Sequence, residues 1–201
     1  MIELPADLPA DLAPLSWLIG VWEGTGVIDY RVGDTHFEGE FSHRVSFSHD
    51  GGPFLNYSAS AYLASPDGEP ARALNAETGF WRVARASTAA EPGPGLLPPR
   101  EAEVVRTAED VEQLRNAAGG FDLEVSLVHS DGVSELYLGQ VKGPRIDLAT
   151  DAVVRTASAR HYAAATRMYG LVEGHLLWAW DIAALGRELG SHASARLAKV
   201  S

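Results

Sequence analysis

Phe121, Leu123, Val125 and Leu127 alternate with Asp122, Glu124 and Ser126, a period of two that turns one face of an extended chain to an apolar interior and the other to water. Leu176, Trp178, Trp180 and Ile182 repeat the pattern, as do Ile146 and Leu148 between Arg145, Asp147 and Ala149. The runs are separated by turn chemistry: Asp50-Gly51-Gly52, Pro66-Asp67-Gly68, Asp131-Gly132, Gly143-Pro144 and Glu173-Gly174 tolerate positive φ or impose a fixed bend. Strands are predicted at 20–30, 37–48, 54–63, 72–86, 121–129, 134–141, 145–150, 160–171, 175–184 and 193–199, with connections too short for crossover helices. The fold class is therefore all-β. An up-and-down antiparallel barrel of about ten strands, which leaves no exposed edge, is favoured over a β-sandwich.

Two stretches depart from this pattern. Leu15-Ser16-Trp17-Leu18-Ile19, within 4–19, is too short for a free helix but suits a helical turn plugging one barrel end. Residues 87–100, with Pro92, Pro94, Pro98 and Pro99, read as a flexible loop. Thr107-Ala108-Glu109-Asp110 then resembles a helix cap, with Val111, Leu114 and Ala118 on one face and Gly119 as the stop. Residues 87–119 are accordingly expected to be an insertion in one domain spanning 1–201.

The 201-residue length suffices to bury a core without staples. There is no cysteine, which removes disulfides, thiolate metal sites and thiol nucleophiles. With no basic and apolar leader at Met1–Asp7 and no apolar run of bilayer length, a cytoplasmic protein without a membrane role is expected. The net charge of −11, with Lys and Arg scattered singly, argues against nucleic acid as a partner.

Generic catalytic signatures are absent. No nucleophile elbow, phosphate loop or dinucleotide fingerprint occurs, and Gly20-x-x-x-Gly24-x-Gly26 has the wrong spacing for the last. Taken alone, that segment is a strand start whose glycines permit close backbone approach around Trp22. Seven histidines, His36, His43, His49, His129, His161, His175 and His192, match no metal-ligand spacing. For most of them a solvated or hydrogen-bonded turn position is expected.

Together the segments do more. Leu15-Ser16-Trp17-Leu18-Ile19 leading into Gly20-x-Trp22-x-Gly24-x-Gly26 resembles the opening of the nitrobindin family. So do Val45–Tyr57, Glu77-Thr78-Gly79-Phe80-Trp81-Arg82 and the closing Gly186-x-x-Leu189-x-x-His192-x-x-Ala195-x-Leu197, in the same order. The resemblance covers the chain except about 84–120. It implies a ten-stranded antiparallel barrel like the fatty-acid-binding proteins, holding one ferric haem b at an open end. It also implies binding of nitric oxide and isomerisation of peroxynitrite to nitrate. The axial ligand maps onto His192, and no further catalytic residue is implied beyond the haem iron. The Tyr-Pro-Thr run common in the family is Tyr30-Arg31-Val32 here, so its threonine contact does not carry over, and Ala193 stands where a leucine commonly follows the histidine. An unshifted imidazole would lose iron below about pH 6.5. A haem-less carrier of a small apolar ligand is the alternative function, and a purely interacting domain using 87–119 a third; monomer and homodimer are both open.

Overall fold

A computed structural model describes residues 8–64, 70–102 and 105–201. Ten strands run in chain order around a closed antiparallel barrel: β1 (Gly20–Val32), β2 (Thr35–Ser48), β3 (Leu55–Ala64), β4 (Pro70–Val83), β5 (Phe121–His129), β6 (Val133–Lys142), β7 (Arg145–Arg155), β8 (Tyr162–Val172), β9 (His175–Ala184) and β10 (Gly190–Lys199). Each pairs with its sequence neighbours, and β1 with β10 closes the ring. The barrel is thus found and the sandwich is not. The Pro66-Asp67-Gly68 turn lies outside the described residues.

Inward parity follows the sequence pattern. Leu123, Val125 and Leu127 of β5 and Leu176, Trp178 and Ile182 of β9 are buried, whereas Phe80 points out beside the inward Trp81. Three strands depart from expectation by three residues or more. β4 ends at Val83, short of the expected 86. β7 runs on to Arg155 past 150: Leu136 pairs with Ala152 and Tyr137 with Thr150, leaving Asp151 as a bulged residue on β7 beyond which the pairing with β6 continues. β10 begins at Gly190, three residues before the expected start at 193, and is also bulged.

The first turn-forming segment, Ala10–Leu18, is a 3₁₀ helix, consistent with Pro14 inside it removing an amide donor. Leu12, Leu15 and Leu18 are fully buried, so the helix stops one barrel end. The segment between β4 and β5 packs across the same end. Its α1 (Ala108–Glu112) has the expected cap, with Thr107 and Asp110 exchanging side-chain and backbone hydrogen bonds. The helix does not reach Ala118. Asn116 Oδ1 instead accepts from the Ala118 and Gly120 amides, turning the chain into β5. Asp11, nearly out of water, binds Arg85 at 2.8 Å and Arg106 at 3.7 Å, and Arg85 also pairs with Glu91, tying helix, barrel and connecting segment together.

The opening Gly-x-Trp-x-Gly-x-Gly run sits at the seam. Trp22 is 2% exposed and donates its indole N–H to Leu18 O at 2.7 Å, fixing the helix to β1. A Cβ at Gly24 would collide with Arg196 O, and one at Gly26 with Ser194 O and the Phe41 ring. Gly20 takes φ +130°, where the chain leaves the helix.

Candidate functional site

Opposite the helical stopper the barrel is open. The ends of β3, β5 and β9 and the starts of β2, β6, β8 and β10 meet around a recess of about 250 Å³. Phe41, Trp178, Trp180 and Ile182 supply apolar wall; His43, Glu77, His129 and His192 also line it.

His192 reaches the recess because of a bulge. Ser191 pairs with Asp181 and Ala193 with Trp180, leaving His192 as the extra residue between them. Alternation slips by one there, so His192 and Ala193 both line the recess although they are adjacent. The imidazole is held edge-on by two rings, with centroids 4.9 Å from Tyr30 and 5.4 Å from Trp180. Tyr30 is itself fixed: its hydroxyl donates to Ala184 O at 2.8 Å, and the Arg187 guanidinium lies 5.1 Å over its ring. Burial, with a smaller contribution from Arg187, lowers the His192 pKa to about 4. The ring is therefore uncharged at neutral pH, and its Nδ1 has no hydrogen-bond partner among the described residues.

The recess floor is charged. Arg167 donates to both oxygens of Glu77 at 2.6 and 2.8 Å, and its Nε donates to Tyr137 Oη at 3.0 Å. Tyr57 donates to Glu77 at 2.6 Å and Tyr137 to Glu135 at 2.7 Å. His129 spans the two carboxylates, 2.6 Å from Glu135 and 3.3 Å from Glu77. Burial, the largest single influence, would raise the Glu77 pKa, but the Arg167 guanidinium together with His129 and the Tyr57 hydrogen bond outweighs it and holds the carboxyl at about 2. In this floor the Arg167 guanidinium lies within hydrogen-bond range of both carboxylates.

His43, from β2, stands in the wall against Trp178, with ring centroids 4.8 Å apart. It and His129 are 6% and 7% exposed, so neither is the solvated turn residue expected from sequence. His43 lies inside β2, and His129 is the last residue of β5, turned inward. The missed residues Glu77, His129, Glu135, Arg167 and His43 all occupy inward parity beside Trp81, Leu127, Tyr137, Tyr169 and Val45, and that parity was the available signal.

Of the sequence-predicted residues, His192 lines the recess, whereas Trp22 and Gly20 lie toward the stoppered end. Gly24 and Gly26 lie between, on the seam that runs from Trp22↔Lys199 to Ile28↔Ala193 and stops beside His192. A flat macrocycle ligated through one nitrogen needs apolar walls and an uncharged imidazole, and this recess offers both. The residues present therefore fit haem. At about 250 Å³ the recess is shallower than pockets that engulf a drug-sized molecule, so it admits part of such a ring through the open mouth.

A family model described as "THAP4-like, heme-binding beta-barrel domain" matches residues 11–199. A protein of Leifsonia xyli subsp. xyli named peroxynitrite isomerase is 63% identical over 99% of both chains. One of the same name from Clavibacter michiganensis subsp. michiganensis is 60% identical over the whole of both. The crystal structure of Rv2717c from M. tuberculosis superposes with a TM-score of 0.66 at 25% identity, covering 99% of this chain and 100% of that one. The nitrobindin resemblance is thereby borne out. The chain belongs to the THAP4-like, haem-binding β-barrel family.

Proposed function

We propose that this protein binds one ferric haem b per chain through His192 and isomerises peroxynitrite to nitrate, with nitric oxide as a second small ligand. The observation that carries the reading is the bulge at Ser191/Ala193, which presents an uncharged imidazole to an open apolar recess. The activity is taken from relatives that carry the name peroxynitrite isomerase.

When bound, haem supplies a Lewis-acid iron that polarises the anion. The chain does the rest. His192 offers a lone pair without first having to lose a proton, because burial keeps the ring neutral. Tyr30 and Trp180 restrict its rotation, and the tryptophan walls keep bulk water from the reacting anion. No helix among the described residues is long and apolar enough to cross a membrane, and the cysteine-free chain suits the cytoplasm we assign to it.

Titration of the apo-protein with ferric haem tests the reading. A saturable Soret band that is lost or strongly weakened in His192→Ala supports it; no such band, or one unchanged in the variant, overturns it. The carrier alternative has less support. Below the recess the barrel is packed with Trp81, Tyr137 and Tyr169, and Arg167, which could have met a carboxylate headgroup, is already neutralised by Glu77.

A further inference from the structure

We propose that His43 Nε2 is a proton acceptor that selects peroxynitrous acid, the conjugate acid of peroxynitrite, and takes its proton on capture; the proposal rests on the haem reading above.

The tautomer of His43 is set by its surroundings. Nδ1 lies 3.1 Å from Ser60 O, and a carbonyl only accepts, so Nδ1 carries the hydrogen. Nε2, on the other side of the ring, is then a bare lone pair. It is out of contact with water and has no partner among the described residues, in a side chain that lines the recess. An unpaired buried acceptor is costly, and a ligand carrying an O–H would relieve that cost. A bare anion would not relieve it.

The ring's electrostatics suit a base. Burial lowers its pKa, opposed by Glu77 on β4 and the Ser60 hydrogen bond and reinforced by Arg167 on β8, so it is neutral and able to accept. Glu77 favours the charge the ring acquires and its partner Arg167 opposes it, so the charge is transient. His129 and His192 complete the set of titratable side chains around the recess, together with Asp131 and Tyr162. Peroxynitrous acid gives its proton to Nε2; within the anion the O–O bond breaks and a third N–O bond forms. Nitrate leaves, and because it is too weak a base to retrieve the proton, His43 returns it to water. Atoms, charge and electrons balance, and the ring is regenerated.

The test uses ferric-haem-loaded protein and cyanide, which is hydrogen cyanide at neutral pH and must lose a proton to bind. Nitric oxide, which carries none, is the control. His43→Leu and His43→Gln are compared; the glutamine keeps a donor for Ser60 O but is a poor base. In the haem-loaded variants, cyanide association slowed by about 10²-fold in both relative to nitric oxide association on the same protein supports the assignment. Cyanide association within twofold of the wild type in either variant overturns it. So does loss of haem binding in both, which would make the role of His43 one of holding haem and not of taking a proton. Failure of the wild type to bind haem removes the haem reading and this one with it. That result is distinct from a haem-loaded protein indifferent to His43.

Discussion

Arg167 and Glu77, from opposite sides of the barrel, meet through two parallel hydrogen bonds of 2.6 and 2.8 Å with almost none of either side chain exposed. Such a pair is costly to desolvate and more costly to break, since removing one partner strands the other charge. Arg167→Met is expected to lower unfolding free energy by about 3–5 kcal/mol, and adding Glu77→Gln to recover much of that. Urea melts of the single and double variants give the coupling directly.

The same pair sets an acid limit. Glu77 has a folded pKa of about 2 against 4.5 in the open chain, so the unfolded state binds more protons between those values. Its contribution is complete above pH 4.5 and is lost as pH falls toward 2. Unfolding midpoints measured across this interval should fall steeply in the wild type and less so in Glu77→Gln.

For His192 the structure moves the sequence expectation. An ordinary imidazole would release iron below about pH 6.5, but a folded pKa of about 4 keeps this ring neutral well below that. Haem affinity should hold to about pH 5 and fall toward pH 4. The shift also carries a stability term of the same sign: the unfolded chain protonates first, so stability declines from pH 6.5 down to about 4. Soret titrations at stepped pH check the first statement, and apo-protein melts check the second.

Gly26→Val introduces branching where even a Cβ meets Ser194 O and Phe41. Destabilisation of about 1–3 kcal/mol or more is expected, with weakened haem binding because the seam ends beside His192. Thermal melts and haem titration should move together. At the exposed Val27 the change to Thr should move neither.

Arg85→Ala removes the main partner of Asp11 at the stoppered end, leaving Arg106 at 3.7 Å. The connecting segment loses its anchor to the 3₁₀ helix, so limited proteolysis should cut within 87–102 faster than in the wild type. Haem binding, at the other end, should be unchanged.

Alternation made most of the barrel legible. β5 and β9 were bounded correctly because Phe121–Leu127 and Leu176–Ile182 keep strict parity between clear turns. The β7 extension past 150 was not, since the bulged Asp151 breaks the alternation of β7 just where its pairing with β6 continues. Bulges are also why the site was half-legible. His192 was found through resemblance, yet its approach to the recess depends on a one-residue slip that no periodicity reveals. Glu77, Glu135 and Arg167 were overlooked for the opposite reason: parity placed them inside, but charge argues for outside unless the partners are known.

β10 both closes the barrel and carries His192. Strands β1 to β9 can zip as successive local hairpins while the chain is being synthesised, but β1 and β10 come from opposite ends and must meet last. An unfinished or truncated chain is therefore an open sheet lacking the proposed ligand, and reactive haem has nowhere to lodge on it. On the proposed reading, haem capture through His192 waits until β10 has closed the barrel against β1.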